Sequence, residues 1–131
     1  MITRFFDRQD ESNVANGALI QSERQLFDLL NRYKSRTPFF GELESENGYK
    51  LLIGIGPIGC VQYSPVDGRP PYLMAMTPSA ETSRDDLEFL TGNTLTPVST
   101  RYALPFDIVK KVAADFLKTG DRSSAVSWEE I

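Results

Sequence analysis

Histidine is absent from this chain, and cysteine and tryptophan occur once each, as Cys60 and Trp128. Without histidine the commonest general base, the Ser-His-Asp and Cys-His pairings and the commonest metal ligand all drop out. A single cysteine permits no internal disulfide and, with no histidine, no structural zinc site. Cys60 reads as a small buried thiol, because nothing near it in sequence would lower its pKa. No run approaches the ~18 apolar residues of a membrane span, and Met1 to Asp7 lacks the apolar core of a secretory signal. No acidic loop has calcium- or magnesium-binding spacing. These absences point to a cytoplasmic protein with no metal, no cofactor and no membrane association.

What is present is an ordinary globular composition. The 131 residues are 40% hydrophobic and 24% charged, enough to bury a core and to read as one domain, 1–131. The net charge of -4 makes free nucleic acid a poor ligand and a basic protein an easy one.

The hydrophobic period changes twice along the chain. A possible short strand at Ile2 to Phe6 and a polar loop precede a helix starting near Ser22, where Ser22 and Gln25 have capping-box spacing and Leu26, Leu29, Leu30 and Tyr33 form one face. Four alternating runs follow, Phe39 to Ser45, Tyr49 to Ile55, Cys60 to Ser64 and Tyr72 to Thr77, separated by turn signals. Asn47-Gly48 suits a type I′ hairpin, whose central residues both need positive φ. Tyr49, Leu51, Ile53 and Ile55 share a face, which makes the second run central; Glu42 and Glu44 share a face with Phe40, which places the first run nearer an edge. A weak fifth strand at Leu87 to Leu90 leads through Gly92-Asn93 into Thr94 to Ser99. The expected fold is α+β: an antiparallel meander of about five strands with an N-terminal and a C-terminal helix packed on it.

Candidate chemistry is thin. Gly54-Ile55-Gly56-Pro57-Ile58-Gly59 matches the dinucleotide fingerprint letter for letter, but that site needs a helix starting inside the motif, and here a strand-like run follows while Pro57 removes a backbone donor. A hairpin turn fits better. Asp85, Asp86 and Glu88 cluster in a polar loop that offers little of the desolvation paired acid–base catalysis needs. Tyr63, Tyr72, Met74 and Met76 could line a ligand cavity, although such residues on strands are ordinarily core.

The end of the chain is the most specific part. Pro105 opens an amphipathic helix whose buried stripe is Val109, Val112, Ala113, Phe116 and Leu117, and Gly120 is suited to end it in the left-handed conformation. Trp128 lies where an unneeded tail would be polar and frayed, so the tail is expected to dock on the core. The order Phe116-Leu117-Lys118-Thr119-Gly120-Asp121-Arg122, a short gap and Val126-Ser127-Trp128-Glu129-Glu130 resembles immunity protein family 1 of bacterial polymorphic-toxin systems. The likeness is densest over residues 92 to 131. It implies a small cytoplasmic α+β inhibitor that neutralises a cognate secreted toxin, often a nucleic-acid deaminase and sometimes a nuclease.

Charge and loop position suggest the contacts: Glu42 and Glu44 on the meander, Asp67, Arg69 and Tyr72 at the proline-rich turn, and Asp85, Asp86 and Glu88. Phe116, Gly120 and Trp128 read as structural. The rival readings are a small-ligand sensor using the strand aromatics and methionines, and an enzyme based on a carboxylate among Glu42, Asp67 and Asp86.

Overall fold

The computed structural model of the chain describes residues 1–78 and 86–131. Among these, ten strands and two α-helices follow in the order β1 (Thr3–Asp7), β2 (Ala18–Leu19), α1 (Glu23–Tyr33), β3 (Phe39–Ser45), β4 (Tyr49–Ile55), β5 (Ile58–Pro65), β6 (Leu73–Met76), β7 (Leu87–Thr91), β8 (Thr94–Val98), β9 (Leu104–Pro105), α2 (Phe106–Thr119) and β10 (Ser127–Glu130). The class is α+β as expected. The sheet is larger than a five-stranded meander, with order β10-β6-β5-β4-β3-β1-β2 and the β7–β8 hairpin joined to β3. All pairings are antiparallel except the single β3–β7 bridge, Phe39 with Leu90. Two of the added strands are two residues long, below the length at which alternation can be read from sequence.

Two local expectations are corrected. β3 lies inside the sheet, between β4 and β1, so its charged face does not protect an edge. Only Gly48 of the Asn47-Gly48 pair has positive φ. The Gly48 amide donates to the Ser45 carbonyl at 3.1 Å, so the loop is a three-residue connection closing on a left-handed glycine. Asn47 is used otherwise, its amide donating to the Gly120 carbonyl at 2.9 Å. The type I′ signature belongs instead to Gly92 and Asn93, both at positive φ between the paired Thr91 and Thr94.

Both helices lie on one face of the sheet. Leu26, Leu29, Leu30 and Tyr33 of α1 and Val109, Val112, Ala113 and Phe116 of α2 are buried against Phe5, Leu43, Leu51, Ile53, Val61 and Tyr63. The Gln25 amide donates to Ser22 Oγ at 3.1 Å, and Gln25 Oε1 accepts from the Gln21 amide at 2.8 Å, which satisfies orphan donors at the start of α1. α2 ends at Gly120 with φ 69°. A β-carbon there would stand 2.4 Å from Asn47 Nδ2, so the glycine is needed for packing as well as for its backbone conformation.

The tail docks as a strand. β10 pairs with β6, Trp128 opposite Ala75. The half-buried indole meets the Tyr63 ring edge-on with centroids 6.2 Å apart, and its Nε1 donates to the Ser123 carbonyl at 2.9 Å. Ser123, itself buried, donates from Oγ to Asp115 Oδ2 at 2.5 Å and accepts there from the Ala125 amide at 3.0 Å. These bonds tie the tail to the last turns of α2 as well as to the sheet.

Candidate functional site

Among the described residues, the sheet face opposite the helices is only partly covered. The β7–β8 hairpin crosses it, placing Phe89 against Phe40 with ring centroids 5.0 Å apart, and Phe40, Cys60, Met74 and Phe89 form a second, smaller core. Its turn is fixed by a reciprocal pair: Gln9 Nε2 donates to Asn93 Oδ1 at 2.6 Å and the Asn93 amide donates to Gln9 Oε1 at 2.7 Å. The chain then makes a 3-10 turn, Thr100–Tyr102, capped by Ser99.

Between this hairpin and the sheet lies a depression of about 310 Å³. Phe40, Leu52, Cys60 and Met74 form its floor, and Thr96, Pro97, Val98 and Tyr102 its far wall. Burial pushes the Cys60 thiol up to about 12, so this floor residue is no nucleophile.

Charges ring the depression on two sides. On the tail side Glu129 accepts from Arg101, and Tyr102 Oη donates to Glu129 Oε1 at 3.0 Å. The Arg101 hydrogen bond, aided by Tyr102, holds the Glu129 carboxyl below its usual range. On the β3 side Glu42 bridges Arg8 at 2.6 Å and Lys50 at 3.2 Å, while Glu44 meets Arg8 at 3.2 Å. The Glu42 hydrogen bond pushes the Arg8 pKa up. Glu42 is buried at 5% exposure, so it is not the exposed acid its sequence position suggested. Its charge is committed to two internal cations.

The other sequence candidates fall in separate places. Asp67 and Arg69 pair at 2.7 Å on the β5–β6 turn, both well exposed, and Tyr72 donates from Oη to the Gly68 carbonyl. The Arg69 amide, chiefly, holds the Asp67 carboxyl low. Asp86 and Glu88 are exposed at the start of the hairpin, Glu88 opposite Pro97. Asp85 lies outside the described residues. Of the four suggested cavity residues, Met74 lines the depression; Tyr63 faces the helices, stacked on Tyr49 at 4.9 Å. Arg101, Tyr102 and Glu129 were not legible in advance, since 27 or 28 positions separate the partners and only the β10–β6 pairing brings them together.

The glycine motif serves packing. β4 ends at Ile55 and β5 begins at Ile58, so no helix starts inside it. A β-carbon on Gly54 would lie 2.7 Å from the Phe89 ring, and one on Gly59 would lie 2.3 Å from the Gly54 carbonyl oxygen.

Among the described residues the result is an apolar depression rimmed by charged pairs on a partly covered sheet face. The family model for immunity protein Imm1 matches residues 4–130, and the chain belongs to the Imm1 immunity protein family. No curated protein matches the chain.

Proposed function

We propose that this chain is an antitoxin that binds a cognate secreted toxin acting on nucleic acid, a deaminase or a nuclease, and neutralises it by covering its substrate site. The observation that carries the reading is the family match over residues 4–130. The net charge of -4 supports the rest: a toxin that steers phosphates presents a cationic surface around its pocket, and an acidic partner can occupy that surface in place of substrate. In this reading the chain has no turnover of its own, needs no cofactor or metal, and works in the cytoplasm as one immunity domain.

The proposed contacts are Glu44, Asp67, Arg69, Tyr72, Asp86 and Glu88, joined by Asp85 on sequence grounds. Glu42 contributes by holding Arg8 and Lys50 in place. Inhibition is steric and electrostatic, with exposed charges setting the association rate more than the final affinity.

The test is co-expression with a toxin domain that acts on nucleic acid, beginning with any encoded next to this chain. Growth is rescued, and the purified complex no longer takes up a labelled oligonucleotide. A complex that still processes its substrate would rule out occlusion, and absence of rescue would sink the antitoxin reading.

The 310 Å³ depression favours one rival, a small-ligand sensor, because its size lies within the ~300–1,000 Å³ of ligand sites. A thermal shift produced by metabolites without any protein partner would support that rival.

A further inference from the structure

We propose that the depression between β8 and the open sheet face is the socket for one apolar side chain of the toxin, carried on a cationic segment. The proposal rests on the antitoxin reading and adds to it the surface and the chemistry of the docking group. The depression is at the small end of ligand sites and lined mainly by carbon, the setting in which single anchoring side chains concentrate binding energy at protein interfaces. The side chain of Gln62, half-buried at its edge, makes no hydrogen bond among the described residues, which leaves its carboxamide to meet the backbone of an incoming segment.

The rim decides the sign of the partner. On the β3 side Glu42 and Glu44 are matched by Arg8 and Lys50, so that side is neutral. On the hairpin and tail side, among the described residues, Glu129 is paired with Arg101, while Asp86 and Glu88 are exposed. Asp86 and Glu88 form no salt bridge among the described residues, and they flank the socket wall: Leu87 between them pairs with Val98, and Glu88 pairs with Pro97. Among the described residues the excess negative charge beside the socket therefore lies on its outer wall, where a cationic segment gains most and an acidic occupant is repelled.

Two substitutions on the β8 wall block the socket. Thr96→Trp lays an indole over the opening from half-exposed β8, and Pro97→Arg, at an exposed rim position, adds bulk and opposing charge. Dissociation constants for the toxin domain that the co-expression test identifies would be measured for both variants and for Asp28→Lys on the exposed side of α1. Each socket variant should raise Kd at least ~30-fold with an unchanged melting temperature, while Asp28→Lys binds as wild type. Asp86→Lys/Glu88→Lys should slow association and reduce its dependence on salt. If either socket variant, folded, binds like wild type, the socket proposal falls while the antitoxin reading stands. If the wild-type chain binds no toxin, the antitoxin reading falls and the socket with it.

Discussion

The ring of Phe89 rests directly on the α-carbon of Gly54, so close that a β-carbon there would be 2.7 Å from two ring atoms and 2.8 Å from Cys60 Sγ. This contact seats the β7–β8 hairpin on the sheet and thereby shapes the depression. Gly54→Ala should cost about 1–3 kcal/mol through overpacking. Gly59→Ala should cost more, because its β-carbon would meet backbone at 2.3 Å. Urea denaturation checks both. Pro57→Ala, in the exposed turn, should unfold like wild type, and neither NAD nor ATP should raise the melting temperature.

Trp128 provides the second prediction. Losing its half-buried ring and the bond to Ser123, Trp128→Ala should be destabilised by about 2–3 kcal/mol. Trp128→Phe keeps most of the apolar area and should lose about 1 kcal/mol. Circular dichroism is the suitable probe, since the variants remove the only tryptophan. An alanine variant as stable as wild type would show that the tail contributes nothing to the fold.

Asp7 makes stability depend on acid. Its side chain is fully buried and accepts from Arg36 Nη1 at 2.9 Å, from Asn13 Nδ2 at 3.0 Å and from the Gln9 and Asp10 amides. Burial alone would raise the pKa; the hydrogen bonds outweigh it and hold the carboxyl below 3.8. A group with a lowered folded pKa stabilises above its unfolded value and loses that contribution as pH falls towards the folded one. Asp7→Asn should therefore cost about 2–3 kcal/mol at neutral pH, less than a fully buried pair because Arg36 is part-exposed. The gap should narrow below pH 3.8. Melting curves of the two proteins from pH 7 downwards give the comparison, and a gap that stays constant would count against the assignment.

Cys60 should be chemically silent. With the thiol buried and pushed up to about 12, Ellman's reagent at pH 8 should react only as fast as the protein opens. Rapid labelling of the folded chain would mean that the floor of the depression is accessible.

Much of the fold was legible because its signals are local. α1 begins after Ser22, β3 and β4 occupy the expected Phe39–Ser45 and Tyr49–Ile55, and Gly120 ends α2. Capping, strand alternation and a left-handed glycine are each decided within a few residues. The errors arose where a residue answers to a distant partner. Asn47 looks like half of a type I′ turn but is recruited by the Gly120 carbonyl, 73 positions away. Glu42 looks like a surface acid until Arg8 and Lys50 close over it.

The sequence by itself determined the α+β class and, through its closing helix and tryptophan tail, the family resemblance. Period, capping and composition are properties of neighbouring residues, and the absence of histidine is complete without any fold. Only the tertiary structure decided that β10 brings Glu129 to Arg101 and Tyr102, and that Gly54 admits Phe89 to build a wall around an apolar depression. Those features depend on strand order and register, which set distant side chains side by side.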